Sequence, residues 1–188
     1  MATSASAMLN EDKSLLVIID VQQRLLSAMP EHAGNVMIKQ TGILGQAASR
    51  LSIPIVVTEQ YPKGLGETVE VLQSHISSSN KIEKTCFSCA DSKVFMSSLR
   101  SSHRRQIVLT GMEAHICVLQ TALALLAQGF QVFVVEDAIC SRVQQNHDNA
   151  LQRLRQAGVI ITNTESVVFE WLADAKHAEF RILSKLIV

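Results

Sequence analysis

The sequence predicts an α/β protein: a three-layer, Rossmann-like fold in which a six-stranded parallel sheet carries helices on both faces. Three observations lead there. Short, β-branched, continuously apolar runs recur along the chain. Each stops at a polar or small residue, and helical periodicity fills the intervals between them. A run without alternation is how a strand buried on both faces reads. Strands alternating with helices call for right-handed crossovers and hence parallel neighbours.

The first run, residues 15–19, stops at Asp20. The second, residues 53–57, stops at Thr58. A shorter strand is expected near residues 81–84. Residues 106–110 stop at Gly111, residues 131–135 stop at Glu136 and Asp137, and residues 159–162 form the last run. Between them, residues 34–51 have apolar spacing near 3.6, residues 91–101 are polar on one side, and residues 115–128 are almost wholly apolar. Residues 145–156 are amphipathic and end at Gly158, a C-cap residue. The chain from Glu165 onward reads as one or two closing helices. A helix apolar all round is buried all round, so the stretch after Cys117 is either central to the monomer or faces another subunit.

Composition bounds the function. A length of 188 residues favours one domain, expected over residues 14–188 behind a flexible tail of residues 1–13. With 47% apolar residues, 3 prolines and 8 glycines, the chain is neither disordered nor a disulfide-stapled miniprotein. Lysine plus arginine is 17 and aspartate plus glutamate is 17, so no net charge draws the protein to nucleic acid or to an anionic bilayer. No apolar run approaches the roughly 20 residues that span a membrane. The N-terminus has the pattern of neither a signal peptide nor a presequence. Cys86, Cys89, Cys117 and Cys140 then read as reduced thiols, and the expected location is cytoplasmic, with mitochondrial association left open.

In open α/β sheets, ligands bind beyond the carboxyl ends of the strands. There the sequence sets Asp20 after the first run, Gln60 and Tyr61 after the second, Lys84 after the third, and His115 and Cys117 after the fourth. Cys117 lies near a helix start, where unpaired N–H groups and the helix dipole favour a thiolate. Asp20 is placed to take the thiol proton and Lys84 to hold Asp20 ionised, an arrangement of nucleophile, base and orienter. Each has a plainer reading as well: a packed thiol, a turn cap and a solvated lysine. Gln60, Tyr61 and His115 are candidates for lining the substrate pocket.

The chain resembles the isochorismatase-like cysteine hydrolase family, which includes nicotinamidases and carbamoylsarcosine-type amidohydrolases. The matching segments are Leu16-Val17-Ile18-Ile19-Asp20-Val21-Gln22, Lys84-Thr85-Cys86-Phe87-Ser88 and Gly111-Met112-Glu113-Ala114-His115-Ile116-Cys117-Val118; Asp137-Ala138-Ile139-Cys140-Ser141-Arg142 also fits. The similarity spans residues 14–169. It implies a strand order of 3-2-1-4-5-6, a catalytic triad of Asp20, Lys84 and Cys117, an oxyanion hole from the N–H groups of Glu113 and Cys117, and a cis bond between Met112 and Glu113. The chain departs from the nicotinamidase pattern after the second strand, where Glu59-Gln60-Tyr61-Pro62-Lys63-Gly64-Leu65-Gly66 lacks the metal-binding histidines, and His75 is isolated. The expectation is no metal, and a place in the metal-free branch.

Cys86 and Cys89 form a C-x-x-C pattern with no second pair to complete a zinc site. No glycine-rich phosphate loop follows the first strand, so no nucleotide cofactor is expected. The leading reading is a cofactor-free hydrolase that cleaves a small amide or related acyl C–N bond through a Cys117 thioester and assembles as a homo-oligomer. Two alternatives stand beside it: a catalytically idle interaction or regulatory protein with the same fold, and an enol-ether hydrolase that uses Asp20.

Overall fold

The structure, a computed structural model, describes residues 8–76 and 79–187. Its strands are β1 (Ser14–Ile19), β2 (Ile55–Gln60), β3 (Asn80–Lys84), β4 (Gln106–Met112), β5 (Gln131–Cys140) and β6 (Ile160–Thr162). All pair in parallel in one sheet of order β3-β2-β1-β4-β5-β6, the order that the resemblance implied. The helices are α1 (Gln23–Leu26), α2 (Glu31–Arg50), α3 (Pro62–Leu65), α4 (Glu70–Gln73), α5 (Lys93–Ser101), α6 (Leu119–Ala127), α7 (Gln144–Ala157), α8 (Thr164–Leu172) and α9 (Phe180–Ile187).

The pleat explains the layers. Successive side chains of a strand face opposite sides of the sheet. Leu16 and Ile18 of β1 join one core with Met37 and Leu44 of α2, Val168 and Trp171 of α8, and Leu183 of α9. Leu15, Val17 and Ile19 join the other with Phe95 of α5, Ala122 of α6 and Leu151 of α7. A strand covered on both sides has no polar face to show, hence the unbroken apolar runs.

The structure moves several boundaries. Pro54 cannot donate to a ladder, so β2 opens at Ile55; the Pro54 carbonyl still accepts from the Leu16 N–H at 3.0 Å. β2 continues through Thr58, Glu59 and Gln60, because β3 pairs with those residues as far as Gln60 with Lys84. β5 runs on past Glu136 to Cys140, with a register shift opposite Leu109 and Gly111 that absorbs the extra length. α6 starts at Leu119 and not at His115, since Ala114–Val118 wind as a π-helical turn closed by the Val118 N–H on the Glu113 carbonyl at 3.2 Å. Gly158 caps α7 with φ of 95°, as expected.

The expected flexible tail needs correction over its second half. Leu9 is buried, and its N–H donates to Glu170 at 2.7 Å. The Asn10 N–H donates to the side chain of Gln106, whose amide donates in turn to the Met8 carbonyl. Residues 8–13 are thus tied down; residues 1–7 of that tail lie outside the described residues. Among the described residues, no helix is long and apolar enough to cross a membrane.

Candidate active site

The site begins where β1 and β4 touch. Ile19 pairs with Gly111, and a Cβ on Gly111 would collide with the Ile19 carbonyl oxygen; its φ of 107° is also one that L side chains rarely adopt. That close approach lets the chain turn out of β1 immediately. Asp20 takes a left-handed φ of 53°, which Asp tolerates, and its N–H donates to the Thr58 carbonyl of β2 at 3.0 Å. The side chain that leaves the strand here is aimed across the carboxyl ends of β2 and β3.

Three groups meet its carboxylate. Lys84 Nζ, at the end of β3, donates to Oδ2 at 2.7 Å, and both side chains are 0% exposed. The Thr58 hydroxyl donates to Oδ1 at 2.7 Å. The buried Cys117 thiol, arriving from the π turn after β4, lies near enough to the same carboxylate to feel its charge. Sheet order accounts for this convergence. β1 and β4 are neighbours at the sheet centre, and β2 carries Thr58 between Asp20 and Lys84.

Lys84 is held on further sides. It donates to Gln60 Oε1 at 2.7 Å, to the Cys86 carbonyl at 3.2 Å and to the Phe87 carbonyl at 3.5 Å. The segment after β3 therefore curls around the ammonium and presents its carbonyls to it. Burial works to lower the Lys84 pKa, but the opposing pull of Asp20, with Cys89 and Cys117 nearby, leaves it raised, so the group stays cationic. Burial, and then the Asp20 charge, push the Cys117 thiol well above its ordinary value. This corrects the expectation that a helix start would favour a thiolate. Both causes favour the protonated thiol.

Gln60, expected in the substrate pocket, is bound to Lys84, and its amide donates to the Thr85 carbonyl at 2.7 Å. Tyr61 is 55% exposed and its N–H donates to the Lys84 carbonyl at 2.9 Å. It lines an open cleft of about 370 Å³ with Pro62, Lys63, Glu83, Lys84 and Thr85. Of the buried trio, Lys84 is the member that lines this cleft among the described residues. His115 lies elsewhere: its ring meets the Ser141 hydroxyl at 2.9 Å and Asn146 at 3.5 Å, beyond the end of β5. The peptide bond between Met112 and Glu113 is cis, as the resemblance implied.

Thr58 and Gln22 were given no role in the sequence reading, and Cys89 was read there only as half of a C-x-x-C pattern. Thr58 is the second donor to Asp20. Gln22 is fully buried; its amide donates to the carbonyls of Gln60 and Gly66 and its Oε1 accepts from the Gln60 N–H, which pins the loop after β2 at both ends. Cys89 is buried against Thr58 with Sγ 3.8 Å from the hydroxyl, and burial pushes its thiol up to about 11. The only advance signal was position, at or just after a run end. Glu59 turns away from the trio to the N–H and hydroxyl of Thr68, at 2.8 and 2.7 Å. Among the described residues, no three His, Cys, Asp or Glu side chains converge as metal ligands would.

The profile of the Isochorismatase domain matches residues 14–166. The chain belongs to the isochorismatase family. Relatives in that family include Isochorismatase domain-containing protein 2 of Danio rerio, 39% identical over 180 residues, covering 93% of this chain and 86% of the relative. Isochorismatase family protein 1A of Dictyostelium discoideum is 36% identical over 178 residues, covering 92% and 85%. Among solved structures, the MAR1 ribonuclease from Caenorhabditis elegans is 35% identical with a TM-score of 0.88, covering 96% of this chain and 92% of that one. The family match takes in the whole sheet and every residue of the Asp20, Lys84 and Cys117 trio.

Proposed function

We propose that this isochorismatase-family protein is a hydrolase that cleaves a small amide or related acyl C–N bond through a thioester on Cys117. The observation that carries the reading is one buried carboxylate paired with a lysine ammonium at 2.7 Å, with a buried thiol beside it. Asp20 takes the Cys117 proton as the sulfur attacks the carbonyl carbon. The N–H groups of Glu113 and Cys117 hold the oxyanion of the tetrahedral intermediate. Its collapse breaks the C–N bond, and the amine leaves with the proton from Asp20. Asp20 then takes a proton from water; the hydroxide adds to the thioester, the C–S bond breaks, and the sulfur regains its proton from Asp20. Lys84 stays protonated and keeps Asp20 an anion between transfers. Side chains and backbone fill every role, so the route calls for no cofactor.

The raised thiol pKa supports this order of events. A sulfur that is neutral at rest and lies beside its base becomes nucleophilic only as the proton moves. A homo-oligomer, at least a dimer, goes with the reading: Ile182 is exposed on α9 and Leu123 and Leu126 of α6 are half-buried. Sedimentation showing a monomer at micromolar concentration would count against that assembly.

A panel of small amides, ureides and carbamates, watched for ammonia or amine release, tests the activity. Intact-mass spectrometry should catch an acyl group on Cys117 during turnover. The Caenorhabditis elegans relative is named a ribonuclease, so single-stranded RNA belongs in the same panel, although this chain carries no net positive charge to draw it. Full turnover by Cys117→Ala would move the chemistry to Asp20 and an enol-ether substrate. Neither turnover nor adduct with any compound would favour the idle, regulatory reading.

A further inference from the structure

The stretch Asp137-Ala138-Ile139-Cys140-Ser141-Arg142 has no part in the chemistry above. One end of it is accounted for. Asp137 Oδ1 accepts from the N–H and the hydroxyl of Thr164, both at 2.9 Å, and so anchors the start of α8. The other end reaches the turn that carries the nucleophile. Cys140 pairs with Met112 across the sheet. Ser141 bonds to His115, and Arg142 meets the Glu113 carboxylate twice, through its backbone N–H at 3.0 Å and its Nε at 3.1 Å.

Glu113 is the residue whose N–H the proposed reaction places on the oxyanion. Its side chain is only 6% exposed, whereas that of Arg142 is 56% exposed and reaches in from solvent. A buried carboxylate needs a partner, and Arg142 supplies both a charge and two donors. The Glu113 carbonyl accepts from the N–H groups of Ile116 and Val118, at 3.0 and 3.2 Å. These four contacts take up the carboxylate and the carbonyl and leave the Glu113 N–H out of them. With both ends of the residue held, the direction of that N–H is set. Release of the carboxylate would let it turn toward water and carry the backbone with it.

We propose that Arg142 is a positioning residue, which aims the Glu113 N–H at the developing oxyanion by holding the Glu113 carboxylate. This rests on the thioester chemistry proposed above. An oxyanion donor works only when it is already in place, so a small rotation lowers the rate without loosening substrate in its ground state.

Two reactions of Cys117 separate the possibilities. Butyraldehyde adds to the thiol as a tetrahedral thiohemiacetal whose oxygen needs the hole. Iodoacetamide alkylates the same sulfur by displacement at a saturated carbon and has no oxyanion. Arg142→Met should weaken the aldehyde adduct ~10- to 100-fold while alkylation stays within about 2-fold, because only the first reaction draws on the aligned donor. On any amide that the protein turns over, kcat should fall by a similar factor with KM unchanged, and Arg142→Lys should restore part of it. Circular dichroism should show the Met variant folded. Equal aldehyde affinity in the two proteins would overturn the proposal, and so would an equal loss in both reactions, which would mean a general collapse of the turn. A native Cys117 that alkylates yet binds no aldehyde would remove the thioester reading and this one together, a pattern distinct from native binding matched by the Met variant.

Discussion

Replacing Lys84 by Met tests how much of the fold leans on one buried charge. Met keeps the apolar stem and fills nearly the same space, so the change removes the ammonium and little else. The pair is 2.7 Å apart with neither side chain exposed. Its loss leaves the Asp20 carboxylate with the Thr58 hydroxyl and the Cys117 thiol, and no cation. Removing one partner of a buried ion pair costs about 3–5 kcal/mol, because the remaining charge is uncompensated. The Gln60, Cys86 and Phe87 oxygens that Lys84 also serves are neutral acceptors, so the charge dominates. For a protein of this size the expected drop in Tm is roughly 6–20 °C, a sizeable share of a typical total stability. The assay is a double-mutant cycle by thermal unfolding, with Lys84→Met, Asp20→Asn and the two combined. Asn tolerates the left-handed backbone and can still accept from Thr58. With no buried charge left, the double variant should regain at least ~2 kcal/mol relative to the sum of the single losses. The reasoning fails if Lys84→Met melts within a degree or two of the native protein, or if the two losses simply add.

Three further outcomes are expected. Cys117→Ala should fold normally and lose turnover, Asp20→Asn should lose ~100- to 10,000-fold, and the combined variant should be little worse than Cys117→Ala alone; additive losses in progress curves would argue against a single proton-transfer unit. Gly111→Ala should cost on the order of 3 kcal/mol or more, since it strains the backbone and drives a Cβ into the Ile19 carbonyl, and a urea midpoint close to the native one would refute that. Base should destabilise the protein early. Burial pushes Cys89 up to about 11 and Cys140 up to about 12 from an ordinary 9.0, and Lys84 is raised as well despite its burial, chiefly by Asp20. The unfolded chain gives up these protons first, so their contribution is complete below about pH 9 and drains away as pH climbs toward 11 and 12. Urea midpoints should be level from pH 7 to 8.5 and fall beyond 9, less steeply in Cys89→Ala; a flat profile to pH 11 would contradict the assignment.

The parallel sheet was legible because burial on both faces leaves a composition that few other structures share. Polar strand ends were not legible. Thr58, Glu59 and Gln60 read as loop, yet they pair with Ile82, Glu83 and Lys84 of an edge strand that is itself largely polar. Asp20, Lys84 and Cys117 stood out because each follows a run end at the rim where ligands bind. Their partners did not, because Thr58 reaches Asp20 only through the register of β1 against β2, and periodicity carries no register. The protonation of Cys117 was misjudged for a related reason. A helix start can be read from sequence, whereas the depth of a sulfur and the charge beside it cannot.

The lysine of this trio sits on the outermost strand. Its two companions come from the central pair of strands, but β3 has a neighbour on one side only, and three of its five residues are exposed. Edge elements with few buried contacts open at lower free energy than the body of a protein. Each such opening would withdraw the cation from Asp20 while β1 and β4 stay paired, so the ion pair would break on a timescale that global unfolding never samples. Amide exchange along Asn80–Lys84 would then report the fraction of molecules with Lys84 seated on Asp20 at any instant, and mild denaturant would erode that fraction well before the sheet itself came apart.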